Sequence, residues 1–248
     1  MFRLVLFDID GTLISTKGAG VKAFGQAFDE EFGLPEATQS VSFAGCTDLG
    51  LVELIFGRNN IEVTPPEIDR FFTAYFPRLS GFLPTDNTTP LAGVNDLISS
   101  MKQWQPTPVI GLLTGNHPVS AELKLRHYNL WDEFEMGVFG DQSPNRNDLA
   151  KDAWDWAKNR WSDIRPEEIL VIGDTPRDIE CARTIDAKVL AVATGESSVE
   201  KLEEHNPDWA VTDLTPSSLV DFHKKMEQSC KTAPLFSPPG SLFYKSLD

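Results

Sequence analysis

The chain has 248 residues, with 22 Lys and Arg against 37 Asp and Glu, giving a formal charge of −15 at pH 7. That balance excludes a protein that works along nucleic-acid backbones, which needs a broad basic surface, but it leaves open a small phosphorylated ligand held by a few local cations or a metal ion. No apolar run approaches a membrane span, and Asp8 and Asp10 interrupt the apolar N-terminus before a signal-peptide core could form, so a cytoplasmic protein without membrane partners is expected.

The first element is a continuous apolar run over residues 2–7 that stops at Asp8, which reads as a strand buried on both faces. About a hundred residues follow with helical patterns and no buried strand, far more than a crossover needs. They form an inserted helical domain over 16–87, with helices at 20–32, 48–56 and 65–82. Phe24, Phe28 and Phe32 repeat along one face and are expected to form that domain's own core. A turn-rich stretch at 84–90 returns the chain, and 93–101 reads as a helix. Apolar runs at 109–113, 136–139, 169–172 and 189–193 then alternate with helical segments at 118–128, 148–161, 176–184 and 198–205, each opened by a polar residue or proline. Trp154, Trp156 and Trp161 fit a packed amphipathic face.

Strands alternating with single helices predict an α/β fold with a doubly wound parallel sheet, built from residues 1–15 and 88–233. A tail at 234–248, rich in Pro and Ser but carrying Phe236, Leu242, Phe243 and Tyr244, is expected to be pinned against the body or a neighbour, which leaves monomer or homodimer open. Cys46, Cys181 and Cys230 are too scattered for a disulfide framework or zinc site, and each is expected as a small buried residue.

In such a sheet ligands bind beyond the carboxyl ends of the strands. The residues there are Asp8 and Asp10, Thr114 to Asn116, the 140–146 loop, and the 173–178 segment. Asp8-Ile9-Asp10-Gly11-Thr12 sets two carboxylates two apart after a strand, and Gly11 permits a tight turn. The first carboxylate can attack phosphorus, and the second can protonate the leaving oxygen and later activate water. Asp174 and Asp178 add carboxylates opposite, and such a cluster needs a hard divalent cation, of which Mg²⁺ is the natural choice. Thr114-Gly115-Asn116, just ahead of a helix start at Pro118, reads as a phosphate-oxygen site built from a hydroxyl and backbone N–H groups.

Together, the 8–12 run, the hydroxyl at Thr114 and the pair Asp174 and Asp178 resemble three motifs of the haloacid dehalogenase-like hydrolase superfamily. Their order, and a helical insert directly after the first motif, resemble the phosphoglycolate-phosphatase-like branch, in which the insert is a cap. The resemblance implies a Rossmann-like core and an Asp8 nucleophile. It implies Asp10 as general acid/base lending its backbone carbonyl to Mg²⁺, Thr114 as phosphate binder, Asp174 as direct metal ligand and Asp178 as ligand through water. The branch usually places a Lys in the loop after the third core strand, and here that loop carries Arg146 instead. Arg146 is always charged and can bind phosphate bidentately, so it is preferred for that role. Lys124, roughly 9 Å along the helix after Pro118, is the rival.

Thr16 at the first hinge and the Gly45-Cys46-Thr47-Asp48 turn are the expected substrate contacts from the cap. Relatives often carry a basic residue where Cys46 stands, which weakens the case for a carboxylated substrate unless Lys17 or Lys22 substitutes. The expected activity is Mg²⁺-dependent hydrolysis of a small organic phosphate monoester through an aspartyl-phosphate. The alternatives are a phosphomutase, a metal-independent dehalogenase, against which Asp10 argues, and a non-catalytic binder of phosphorylated ligands.

Overall fold

A strand covered on both faces needs no polar alternation, and the apolar runs of this chain pack in that way. The computed structural model describes residues 1–86 and 88–224. In chain order it contains β1 (Leu4–Phe7), α1 (Ala19–Phe32), α2 (Asp48–Arg58), α3 (Pro65–Phe82), α4 (Val94–Met101), β2 (Val109–Leu113), α5 (Pro118–His127) and β3 (Met136–Val138). There follow α6 (Arg146–Arg160), β4 (Ile169–Gly173), α7 (Pro176–Arg183), β5 (Lys188–Val192), α8 (Val199–Glu203) and β6 (Trp209–Val211). The six strands form one parallel sheet in the order β3-β2-β1-β4-β5-β6. β1 is central, with Leu4 paired to Val109 on one side and Ile169 on the other.

Alternate residues of each strand feed two separate cores. Val5 and Phe7 join Ile110, Leu112, Leu170 and Ile172 on the face covered by α4 and α5. Leu4 and Leu6 join Val109, Leu113, Ile169 and Val171 on the face covered by α6 and α7. Helices on both faces make the sheet doubly wound. Trp154, Trp156 and Trp161 pack partly buried against the second core.

A third core belongs to α1, α2 and α3. Phe24 and Phe28 of α1 meet Val52, Ile55 and Phe56 of α2 and Phe71 and Tyr75 of α3, with the Phe28 and Phe71 rings 4.4 Å apart. Burial of each such ring contributes about 1.5–3 kcal/mol, so these helices carry their own hydrophobic support. The two chain crossings between this helical unit and the sheet run side by side, joined by Leu91 N donating to Leu13 O at 2.9 Å. Tyr128 of the sheet domain adds a bond to Ser15 O at 2.6 Å.

Three differences from the sequence reading have physical causes. The first strand begins at Leu4 rather than residue 2, because Phe2 packs beyond the ladder against Trp209 and Phe222. α6 begins at Arg146 rather than 148, since the Asn145 side chain caps it by accepting from Asn147 N. The edge strand β6 has three half-buried residues and escapes any periodicity test. The 234–248 tail and Cys230 lie outside the described residues. Among the described residues no helix is long and apolar enough to cross a membrane.

Candidate active site

Asp8 follows the central strand directly, and its N–H continues the ladder by donating to Ile172 O at 2.9 Å. Its carboxyl group therefore stands at the sheet's carboxyl edge between β2 and β4. Asp174 follows β4, and Asp178 opens α7. Thr175 and Asp178 form a reciprocal capping box: Asp178 Oδ2 accepts from Thr175 N and Oγ1 at 3.0 and 2.7 Å, and Thr175 Oγ1 accepts from Asp178 N at 3.3 Å. This pins Asp178 in one rotamer. All three aspartates are buried, and a carboxylate oxygen from each lies within 4.8 Å of the others. Thr12 donates to Asp174 Oδ1 at 3.2 Å. A Cβ on Gly195 would fall 1.7 Å from Asp174 Oδ2, so the backbone there must be glycine for the carboxylate to fit.

The two candidate cations reach different carboxylates. Arg146 Nη2 donates to Asp8 Oδ1 at 2.9 Å, to Asp178 Oδ1 at 2.5 Å and to Leu113 O at 3.2 Å. Its Nε is buried without a hydrogen-bond partner among the described residues. Lys124 Nζ instead donates to Asp10 Oδ2 at 2.5 Å and Asn116 Oδ1 at 2.6 Å, while Asn116 Nδ2 also donates to Asp10 Oδ2 at 2.9 Å. Arg146 thus bridges the inner pair, and Lys124 holds the outer carboxylate from the side.

Even with Arg146 present the inner carboxylates are under-neutralised. Burial raises the Asp8 pKa to about 6, with Arg146 opposing the rise and Asp178 adding to it. Burial, then the charges of Asp178 and Asp8, push Asp174 to about 9. Burial alone would depress Arg146, but Asp178 and Asp8 outweigh it and hold the guanidinium charged. Three converging carboxylates with surplus negative charge and hard oxygen donors fit a divalent cation such as Mg²⁺.

These groups open into a cavity of about 400 Å³ lined from the sheet side by Asp8, Asp10, Gly115, Asn116, Lys124, Arg146 and Asp174. Thr16 and Cys46 line it from the helical unit. Three residues expected at the wall stand behind it. Thr114 is fully buried and its hydroxyl accepts from Asn116 N and Nδ2, so Gly115 and Asn116 form the wall there. The Thr47 hydroxyl is taken up capping α2 through Gly50 N, and Asp178 lies one layer below the floor. Of the cysteines, Cys181 is buried, with its thiol pushed up to about 12 by burial. Cys46 departs from expectation: it is half-buried and accepts from Arg177.

Asp48 of the expected 45–48 turn makes contacts that only the structure reveals. Asp48 lines the cavity, and its carboxylate accepts from His117 N at 2.7 Å and Ser120 Oγ at 2.9 Å, at the N-terminus of α5. Asp48 N and Leu49 N donate in turn to Gly115 O and Gly140 O at 2.6 and 3.1 Å. A Cβ on Gly115 would meet Cys46 O at 1.9 Å, so the helical unit docks where only glycine permits it. Tyr75 of α3 also lines the cavity, and only tertiary packing reveals it. Thr175, by contrast, was open to detection through the Thr-x-x-Asp capping pattern.

Known proteins share this plan. The chain is 24% identical over 226 residues to a Clostridium perfringens protein, PpaX, provisionally named a pyrophosphatase, covering 91% of this chain and 99% of that one. It is 25% identical over 232 residues to phosphoglycolate phosphatase of Chromobacterium violaceum, covering 91% and 96%. The crystal structure of CbbY from Rhodobacter sphaeroides, solved in complex with phosphate, has the same fold with a TM-score of 0.65 at 16% identity, covering 87% of this chain and 96% of that one. The model of the haloacid dehalogenase-like hydrolase family matches residues 5–192, three quarters of the chain. A hydrolase site of buried aspartates at the edge of a doubly wound sheet therefore has a family, and the chain belongs to the haloacid dehalogenase-like hydrolases.

Proposed function

We propose that the chain is a phosphatase that hydrolyses a small organic phosphate monoester through an aspartyl-phosphate on Asp8. The observation that carries this reading is the arrangement of two unlike carboxylates on one cavity: Asp8 buried and bridged by Arg146, Asp10 half-exposed and held by Lys124 and Asn116. The names of the relatives, which include a phosphoglycolate phosphatase, support it.

An Asp8 oxygen attacks phosphorus as the ester P–O bond breaks, and Asp10 delivers a proton to the departing alkoxide. Asp10, now ionised, takes a proton from water, whose oxygen attacks phosphorus and expels the Asp8 carboxylate with release of inorganic phosphate. Arg146 stabilises charge on Asp8 and the transferring group, and Gly115 N–H offers a donor to a phosphoryl oxygen. Lys124 orients Asp10 toward the leaving oxygen. Asp8, Asp174 and the Asp10 carbonyl would hold Mg²⁺ with Asp178 behind them, and the ion supplies further neutralisation of the phosphoryl group. Residues 16–87 act as a cap that excludes water while the ester bond breaks.

Release of inorganic phosphate from a panel of monoesters, with Mg²⁺ and with chelator, tests the reading. The expected result is Mg²⁺-dependent turnover, lost by a factor of at least about 10³ in Asp8→Asn. Full activity of that variant, or turnover untouched by chelator, would overturn it.

A further inference from the structure

The cavity above Asp8 has two unlike ends. Charged residues from the sheet edge form its floor, whereas Val21, Phe24, Leu51 and Tyr75 of the helical unit, with Phe43 from the loop before α2, form its roof. That roof belongs to a packed core: the Phe24 ring lies 4.7 Å from Tyr75 and 5.4 Å from Phe43, both edge-on.

Four cations near this roof are already engaged. Lys124 is taken by Asp10 and Asn116, and Arg146 by Asp8 and Asp178. Arg177 donates to Cys46 Sγ, and Lys22 lies over the Phe82 ring at 4.1 Å. Lys17 lines the cavity, but it is exposed, and the exposed Glu196 lines the cavity as well. The buried carboxylate of Asp48 adds negative charge. A carboxylate or second phosphate on the leaving group would meet apolar carbon and fixed negative charge where it needs a desolvated cation. The roof does offer one neutral polar handle. Tyr75 is buried, yet its hydroxyl makes no hydrogen bond among the described residues and lies beside Gly20 near Lys124 Nζ.

We infer that the leaving group is a neutral alcohol with an apolar aliphatic or aromatic face, rather than a carboxylated or doubly phosphorylated one. The inference rests on the phosphatase reading and narrows its substrate class. Tyr75 Oη meets a neutral polar atom of the alcohol, while Phe24, Phe43 and Leu51 cover its carbon.

The test compares kcat/KM, with Mg²⁺, for 2-phosphoglycolate, its uncharged amide and 2-phenylethyl phosphate, using 4-nitrophenyl phosphate as a general phosphatase probe. The amide is expected to exceed the acid by about tenfold or more, with 2-phenylethyl phosphate highest. Val21→Arg, at a position 40% exposed on α1, is expected to move the acid-to-amide ratio about tenfold toward the acid. A preference for the acid, or equal turnover of acid and amide, overturns the inference. Turnover of 4-nitrophenyl phosphate with neither neutral ester also overturns it and leaves the phosphatase reading standing. No turnover of any ester removes that reading and the inference together.

Discussion

Arg146 decides the chemistry of the inner carboxylates because a single guanidinium nitrogen contacts both Asp8 and Asp178. Removing it leaves two buried carboxylates without a cation, a change that costs roughly 3–5 kcal/mol in buried ion pairs. Arg146→Ala is therefore expected to lower stability of the metal-free protein by about that amount and to reduce kcat roughly 10²–10³-fold. Arg146→Lys, which keeps the charge without the planar fork, should recover most of the stability and only part of kcat. Denaturant titration beside steady-state kinetics reads both, and a wild-type kcat in Arg146→Ala would refute the assignment. At this scale the sequence was informative about residue type and poor about partners. The spacing of Asp8, Asp10, Asp174 and Asp178 follows from strand ends, which hydrophobic runs mark. That Arg146 and Lys124 contact two different carboxylates follows from side-chain reach across three elements, which sequence spacing does not encode. Whether the Thr114 hydroxyl faces the cavity or Asn116 depends likewise on a rotamer.

At the scale of elements, the N-terminus of α2 connects the helical unit to the sheet. Asp48 braces the start of α5, which His117 caps, by accepting from His117 N and Ser120 Oγ, while its own N–H and that of Leu49 donate to Gly115 O and Gly140 O. The carboxylate is buried, and burial raises its pKa against the pull of Lys124 and the bonds from His117 and Ser120. Loss of a charged acceptor of hydrogen bonds costs about 1.5–3 kcal/mol. Asp48→Ala is expected to destabilise by that amount and to raise KM more than it lowers kcat, since the helical unit then docks less often over Gly115. Asp48→Asn retains an acceptor and should restore most of the KM. Equal KM in all three proteins, measured on one ester, would remove the docking role. Long elements were legible because they repeat: the 3.6-residue period of α1 and the 18 residues of α3 leave little ambiguity. The edge strand β6 was not, since its three half-buried residues are too few for any period to register, whereas α8 and β3, also short, are marked by the polar opening at Ser198 and the apolar run at 136–139.

The whole molecule carries −15, and the site concentrates part of that surplus where the fold can use it. Asp8 at about 6 and Asp174 at about 9 both lie above the ordinary carboxylate range, chiefly through burial. A carboxyl group whose pKa is raised on folding supports the folded state while protonated, and that support is lost as pH rises through the folded value. Without a divalent cation the protein should accordingly lose stability between about pH 4 and pH 9. A cation competes with those protons for the same oxygens, so its stabilisation grows over the same interval. At a hundred times its Kd, a ligand bound only by the folded state adds about 2.7 kcal/mol. The rise in Tm on adding Mg²⁺ is expected to be small at pH 5, larger at pH 8, and absent in Asp174→Ala at either pH. Thermal melts at several Mg²⁺ concentrations measure it. A shift that is independent of pH, or one that survives in Asp174→Ala, would mean that the ion acts on the dispersed surface charge instead, where screening and not coordination would set its effect.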